Sequence, residues 1–273
     1  TENIPENHEP DKSVLKGNYV PEDAFVVLWS GGYNTWTDID SLFNALEQIF
    51  QEFPKAYFVS TGGEIASHDE ITYQSFLDLI AASKFKDRYV MRGWIPYNEV
   101  PRYVQEADIG INIDLFSYEG ILGSRNRLMD WMLLKLPVIT SELCELSYVI
   151  KQKNLGVTFE PENTEELVVK LRYAINNPEE LSSSADRAHE YVTTELSTDS
   201  TTRELLEWVE NPCKAPDAED KMRPLPDNTD HQAIQITANH YRASIKNNIQ
   251  THGLMYTIRW VAARSPLIKR LIK

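Results

Sequence analysis

The feature that most constrains the fold is a repeated alternation between short apolar segments and longer segments with apolar residues at helical spacing. The short segments are continuously apolar and rich in β-branched and aromatic residues, which is typical of strands buried on both faces. Each is followed by a predicted helix, and six such units predict a doubly wound, Rossmann-like parallel α/β sheet covered on both faces. The predicted strands lie at residues 25–29, 56–60, 88–91, 108–113, 137–140 and 156–159.

Composition divides the chain around this domain, which we expect to span residues 24–210. Residues 1–23 are polar, contain three prolines and show no apolar periodicity, so they are predicted to be a linker rather than a packed segment. Residues 211–230 contain four prolines and are predicted to be a second linker. Residues 231–273 are predicted to form a basic, amphipathic helical tail.

Composition also limits the setting of the protein. The sequence has no apolar run long enough to cross a membrane, and its first thirty residues lack the pattern of a signal peptide. Its two cysteines, Cys144 and Cys213, are too few for a disulfide framework and lack the spacing of a metal site. A reducing, cytoplasmic setting is therefore expected.

The charge is distributed unevenly along the chain. From His231 onward there are seven basic and no acidic residues, whereas the rest of the chain has 20 basic and 41 acidic residues. This excess of acidic residues before His231 argues against nucleic acid as a partner. Residues 254–273 end in a segment with basic and apolar side chains on opposite helical faces, which predicts peripheral contact with an anionic membrane at its inner face. Packing of this helix on the protein itself is the alternative.

Ligands of parallel sheets bind in the loops that follow the carboxyl ends of the strands. Gly31 and Gly32 follow the first strand, where backbone amides could approach a phosphate, and a tight strand-to-helix turn is the alternative. Neither a GxGxxG nor a Walker motif is present, which argues against a classical dinucleotide or P-loop site. Trp94 follows the third strand and is a candidate to stack on a base, with ordinary packing as the alternative.

The loop after the fourth strand, DLFSYEGILGSRNRLMD, is the richest in polar side chains. Arg125 and Arg127 lie in or just before the first turn of the following helix, where cations oppose the helix dipole. Two cations there predict a bound anion, and guanidinium groups match phosphate well. The alternative is a surface ion pair between Arg127 and Asp130, which share a helical face.

Four segments form a recognisable set: WSGGYNTWTDIDSLFNAL, YFVSTGG, YVMRGWIPYNEVPRYVQEADIGINI and EGILGSRNRLMDWMLLKLPVIT. Together they resemble the nucleotide-sugar-binding, C-terminal domain of the group 1 (family 4) retaining glycosyltransferases of the GT-B fold. The resemblance runs from about Phe25 to Glu210. It implies an activated sugar donor, usually a nucleoside diphosphate sugar, as the substrate, and no cofactor is expected. A catalytic metal is not expected either, because no His, Cys or Asp residues cluster at ligand spacing.

The family's binding mode can be carried onto matching positions of this sequence. The resemblance places the base beside Trp94 and Ile95, the ribose hydroxyls on Asp130 and the sugar on Glu119. The diphosphate is expected on the fourth-loop amides of Gly120, Gly123 and Ser124.

Two departures from the family pattern affect the site. The family's paired glutamates are separated by seven residues, whereas Glu119 and Asp130 are separated by ten and the second is an aspartate. The family's Arg and Lys in the first loop are missing, since GGYNTWT contains no cation. We therefore expect Arg125 and Arg127 to supply the charge that stabilises the departing diphosphate, and we group them with Glu119 as candidate catalytic residues.

GT-B enzymes have a second, N-terminal domain that binds the acceptor, and the resemblance covers only the donor-binding half. Residues 1–23 are then expected to be the interdomain linker, and turnover is not expected without the acceptor domain. The resemblance favours retaining transfer in glycan or lipid-linked surface polysaccharide synthesis.

Two other functions remain open from the sequence. One is a non-catalytic Rossmann-like scaffold or regulatory subunit that has lost donor binding, which the missing first-loop cations favour. The other is a sugar-nucleotide epimerase of similar architecture. A nucleophilic hydrolase is disfavoured, because no serine lies in a GxSxG turn.

Overall fold

The structure, a computed structural model, describes residues 13–214 and contains one six-stranded sheet in that range. Its strands pair in the order β3-β2-β1-β4-β5-β6, and every pairing is parallel. This confirms the predicted doubly wound α/β sheet. The strands are β1 (Phe25–Trp29), β2 (Ala56–Ser60), β3 (Tyr89–Met91), β4 (Ile109–Asn112), β5 (Val138–Ser141) and β6 (Val157–Phe159).

Helices connect successive strands and continue after the last one. In the described part of the chain they are α1 (Ile39–Glu52), α2 (Ile71–Ala82), α3 (Val100–Glu106), α4 (Tyr118–Leu122), α5 (Asn126–Leu133), α6 (Glu145–Lys153), α7 (Thr164–Asn176), α8 (Pro178–Thr194) and α9 (Thr198–Glu210). None of these described helices is both long enough and apolar enough to cross a membrane.

The sheet has a hydrophobic core on each face. One core packs α1, α2 and α7 against the sheet, with Leu46, Phe76 and Leu171 among its buried residues. The other packs α3, α5, α6 and α8 against the opposite face, with Trp131 and Ile150 buried in it. Burial on both faces explains why the strands are continuously apolar rather than alternating.

Residues 13–23 pack on the second core, and this corrects the expectation that residues 1–23 contain no packed segment. Leu15 and Val20 are buried there. The Glu106 carboxylate, at the end of α3, accepts hydrogen bonds from the amides of Val14, Leu15 and Lys16 at 2.6, 2.9 and 2.8 Å. The signal was weak in the sequence, because the few apolar residues of this polar segment show no periodicity.

The strand order creates a crevice at the carboxyl edge of the sheet. The chain moves outward from β1 to β3 and then returns to place β4 on the other side of β1. The loops that follow β1 and β4 therefore diverge, and ligands of such folds bind at this switch point.

Several sequence predictions lie outside the described residues. They concern residues 1–12, the linker beyond residue 214, and the tail at 231–273 with its proposed membrane-contacting part at 254–273.

Candidate functional site

A cleft of about 400 Å³ opens at the switch point. It lies between the loops after β1 and β4, the end of β2, the loop after β3 and the start of α5. Its lining includes eight of the eleven residues that sequence analysis selected: Gly31, Trp94, Ile95, Glu119, Ser124, Arg125, Arg127 and Asp130. The tertiary structure thus brings together candidates from three separate loops.

Arg127, in the first turn of α5, is held under the β1 loop. Its guanidinium carbon lies 3.9 Å from the centre of the Trp29 ring, in a cation–π contact. Gly31 is adjacent: its φ is +109°, and a Cβ added there would lie 3.3 Å from Arg127 Nη2. Glycine at this position therefore permits both the left-handed turn and the close approach of the guanidinium.

The Arg127 guanidinium has no acidic partner among residues 13–214. Its Nη1 is buried without a hydrogen-bond partner there, and the alternative ion pair with Asp130 does not form. Burial lowers the pKa of Arg127 to about 10, although the negative charge of the Asp114 carboxylate acts to raise it. The side chain remains charged at neutral pH, so the cleft contains a positive charge with an unused hydrogen-bond donor.

Arg125, in contrast, is fully engaged by the protein. Its Nε donates to Asp114 Oδ2 at 2.8 Å, and its Nη2 donates to the Glu119 carbonyl at 2.9 Å. Its Nη1 lies 3.5 Å from Glu119 Oε1. This changes the expectation that Arg125 shares the charge of a diphosphate with Arg127: it lines the cleft, but its charge is matched by a buried carboxylate.

Sequence analysis missed Asp114, the partner of Arg125. It is 3% exposed, lies just beyond β4 and also accepts from Asn112 Nδ2 at 2.9 Å. Its position directly after an apolar strand was the available signal. Asp114 holds Arg125, and through it the Glu119 carbonyl, so it fixes the shape of the loop after β4.

The fourth-loop glycines do not present free amides to the cleft, as the sequence analysis expected. The Gly120 amide donates to Ser117 Oγ at 3.0 Å, and the Gly123 amide donates to the Glu119 carbonyl at 2.8 Å. Neither glycine lines the cleft. A Cβ on Gly123 would lie 2.2 Å from Arg125 Nη1, so glycine is needed there for packing against that arginine.

The start of α5 provides a better anion site than these glycines. No side chain caps this helix. The Leu128 amide donates to the Arg125 carbonyl at 2.9 Å, and the two preceding amides, those of Asn126 and Arg127, lie at the positive end of the helix, where an anion is favoured. Ser124, just before it, is exposed and lines the cleft, and its Oγ donates to Asn126 Oδ1 at 2.9 Å. Arg127 belongs to this same first turn.

The loop after β3 forms an aromatic wall of the cleft. Trp94 is 59% exposed, and its indole Nε1 donates to the Glu64 carbonyl at 2.7 Å. That hydrogen bond fixes the ring while one face stays accessible. Gly32 packs beneath it and does not line the cleft. Tyr97, 75% exposed, also lines this wall and was not selected from the sequence.

Two carboxylates complete the site. Asp130 lines the cleft beyond Arg127, and its partial burial raises its pKa. The Glu119 side chain is half exposed at the other end, beside Arg125. In the described range, no group of three His, Cys, Asp or Glu side chains is arranged to hold a metal ion.

Fold and site together define a class: a Rossmann-like α/β domain with a polar cleft at its switch point. The chain belongs to the family of group 1 glycosyl transferases, whose family model matches residues 24–177. This confirms the resemblance inferred from the sequence.

Solved structures with the same fold have low sequence identity to this chain and include glycosyl transferases. The C-terminal domain of a group 1 glycosyl transferase from Francisella tularensis is 16% identical with a TM-score of 0.55, and the match covers 66% of this chain and 89% of that one. A glycosyltransferase from Rickettsia africae is 19% identical with a TM-score of 0.57, covering 68% and 47%. An Anabaena protein in complex with UDP-glucose is 15% identical with a TM-score of 0.57, covering 69% and 49%.

The chain thus spans about half the length of the Rickettsia and Anabaena proteins. No curated protein matches its sequence.

Proposed function

We propose that this chain is the donor-binding half of a glycosyltransferase and that its cleft binds a nucleoside diphosphate sugar. The observation that carries the proposal is the Arg127 guanidinium at the switch point, whose Nη1 is buried without a hydrogen-bond partner in the described part of the chain. An isolated buried charge is unfavourable in the free protein, and a bound anion would remove that penalty. The Anabaena neighbour was solved with UDP-glucose, which supports the same class of ligand.

The parts of the donor have distinct places in this proposal. The diphosphate lies between Arg127, the Gly31 turn and the start of α5, where positive charge and backbone amides converge. The base lies against Trp94 and Ile95, and Asp130 accepts from a ribose hydroxyl. The sugar then extends towards Glu119.

The proposed chemistry is transfer of a glycosyl group from the diphosphate to an acceptor. The bond between the anomeric carbon and the phosphate oxygen breaks, and the electron pair leaves with the diphosphate. The fixed charge of Arg127 stabilises this developing negative charge. Arg125 is a positioning residue, because it orients the Glu119 loop and is itself neutralised by Asp114.

In this proposal, an N-terminal domain binds the acceptor. We propose retaining transfer in glycan or lipid-linked polysaccharide synthesis, in the cytoplasm, with no metal and no nucleic acid involved. Contact of residues 254–273 with an anionic membrane would suit a lipid-linked acceptor.

The first test is calorimetric titration of the chain with UDP, GDP, ADP, CDP and their glucose conjugates. We expect one nucleotide series to bind, and Arg127→Gln to weaken its binding roughly 10- to 100-fold because a charged hydrogen bond to phosphate is lost. Arg203→Gln, on the surface of α9, is the matched control and should bind as the wild type does. Thermal unfolding of Arg127→Gln should occur no lower than that of the wild type, since an unpaired charge is removed.

A second candidate is a scaffold that has lost donor binding, which the absence of any cation in the first loop favours. It predicts that none of these nucleotides binds at millimolar concentration. That outcome would contradict the proposed donor site.

A further inference from the structure

Two small polar side chains at the floor of the cleft have no role in the site described so far. Asn34 lies in the loop after β1 and is 7% exposed, and Thr61 lies directly after β2 and is 2% exposed. Both line the cleft. Asn34 Oδ1 and Thr61 Oγ1 are buried, and neither has a hydrogen-bond partner within residues 13–214.

The loops that carry these residues are held together by backbone hydrogen bonds. The Thr61 amide donates to the Trp29 carbonyl at 3.0 Å, and the Tyr33 amide donates to the Gly63 carbonyl at 3.0 Å. The Asn34 amide donates to Thr37 Oγ1 at 3.1 Å, which fixes the backbone next to its side chain. The backbone that carries the two unpartnered atoms is therefore fixed in place.

Buried polar atoms without partners are rare in folded proteins, because each loses its hydrogen bonds to water without gaining a replacement. The described residues contain five such side-chain atoms, and three belong to residues that line this cleft: Arg127, Asn34 and Thr61. Their concentration at one cleft indicates that a ligand supplies the missing hydrogen bonds.

The chemistry of the two neutral atoms restricts the group that meets them. The Asn34 carbonyl oxygen only accepts, so a phosphate oxygen, which at neutral pH mostly accepts as well, does not satisfy it. A cationic donor would be repelled by Arg127. A hydroxyl group both donates and accepts. It therefore satisfies the side-chain amide of Asn34 whichever of its oxygen and nitrogen atoms faces the ligand, and it satisfies the Thr61 hydroxyl as well.

We infer that Asn34 and Thr61 recognise hydroxyl groups of the ligand and thereby contribute to its specificity. The inference rests on the proposed function, because that function supplies a ligand with hydroxyls next to a diphosphate. These hydroxyls belong either to the ribose or to the transferred sugar. Both sources have the same chemistry, and the experiment must separate them.

The test uses the full chain and two substitutions at one position. Thr61→Val preserves the shape of the side chain but removes its hydroxyl, whereas Thr61→Ser retains the hydroxyl. We expect Thr61→Val to weaken binding of the nucleotide sugar about tenfold, since one buried hydrogen bond is lost, and Thr61→Ser to bind nearly as the wild type does. Thr35→Val, at an exposed position in the first loop, is the matched control and should change nothing. Asn34→Ala should weaken binding as Thr61→Val does.

Three ligands separate the sources: the nucleotide sugar that binds the wild type, its nucleoside diphosphate and the 2′,3′-dideoxy form of that diphosphate, which has neither free ribose hydroxyl. A loss seen with the bare diphosphate but absent with the 2′,3′-dideoxy form assigns the contact to the ribose. A loss seen only with the nucleotide sugar assigns it to the transferred sugar. Both results support the inference.

Other results overturn it. If Thr61→Val and Asn34→Ala bind all three ligands as the wild type does, water satisfies the two atoms and they recognise nothing. If Thr61→Val weakens all three ligands equally, including the 2′,3′-dideoxy form, its partner is the phosphate or the base rather than a hydroxyl. Failure of the wild type to bind any nucleotide would instead overturn the proposed function, and the inference with it.

Discussion

At the scale of single residues, two arginines separated by one position have opposite environments. Arg125 is matched by a buried carboxylate, Asp114, whereas Arg127 lies over Trp29 without an acidic partner in the described part of the chain. The sequence treats them alike, since both are cations at the start of a helix. Their different roles arise from which neighbours the tertiary structure places beside each.

Because Arg125 is paired with Asp114, we expect its replacement to lower the stability of the fold rather than to remove a direct contact with the ligand. Arg125→Met leaves the Asp114 carboxylate buried without its cation, and we expect the free energy of unfolding to fall by about 3–5 kcal/mol in urea denaturation. Arg187→Met, which breaks an exposed ion pair with Glu180, should cost less than about 1 kcal/mol. Equal stabilities of the two variants would argue against a structural role for Arg125.

At the scale of secondary-structure elements, the N-terminal segment is fixed by one carboxylate at the end of α3. Burial alone would raise the pKa of Glu106, but hydrogen bonds from Ser13 and from the amides of Val14, Lys16 and Leu15 outweigh it and lower this pKa. The carboxylate is only partly buried, so its net contribution is modest. It nevertheless attaches residues 13–16 to the domain.

This attachment predicts a pH dependence of a defined sign. Because the pKa of Glu106 is lowered in the folded state, its contribution to stability is complete above the ordinary glutamate value of 4.5 and is lost as the pH falls through the lowered value. Glu106→Gln should lower the free energy of unfolding by roughly 1 kcal/mol at pH 7, and its difference from the wild type should shrink below about pH 4.5. The measurement is urea denaturation between pH 3 and pH 7.

Glu190→Gln, at an exposed position on α8, is the control for this experiment. It should show neither the loss at pH 7 nor the change with pH. Equal stabilities of Glu106→Gln and the wild type over the whole pH range would show that the hydrogen bonds from residues 13–16 do not stabilise the fold.

At the scale of the whole molecule, the cleft is open at the carboxyl edge of the sheet. Glu119 and the exposed aromatic side chains Trp94 and Tyr97 line it, and the match spans about half of the Rickettsia and Anabaena proteins. In the proposed function, the other half of the enzyme binds the acceptor.

This arrangement predicts binding without turnover. The chain, given the nucleotide sugar that it binds in calorimetry, should release nucleoside diphosphate no faster than Arg127→Gln does in a coupled assay. The reason is that the acceptor and the groups that activate it are proposed to lie on the other domain. Release well above that of the variant would place a complete catalytic site within this chain.

Much of the architecture was predictable from the sequence because it depends on periodicity. Continuously apolar strands alternating with helical segments require a parallel sheet covered on both faces, and the loops after its strands are the expected places for a ligand. Trp94, Ile95, Arg127 and Asp130 could be selected for this reason, since each follows a predicted strand or opens a helix.

Only the tertiary structure decided which of these residues are free to act. Asp114 neutralises Arg125 across the loop, the amides of Gly120 and Gly123 bond within their own loop, and Leu15 fills a core that its polar neighbours in sequence did not reveal. These outcomes depend on contacts between distant segments, and local sequence patterns do not encode such contacts. The sequence by itself therefore determined the sheet and the edge at which we propose that the ligand binds, whereas long-range packing determined which charge and which polar atoms remain available there.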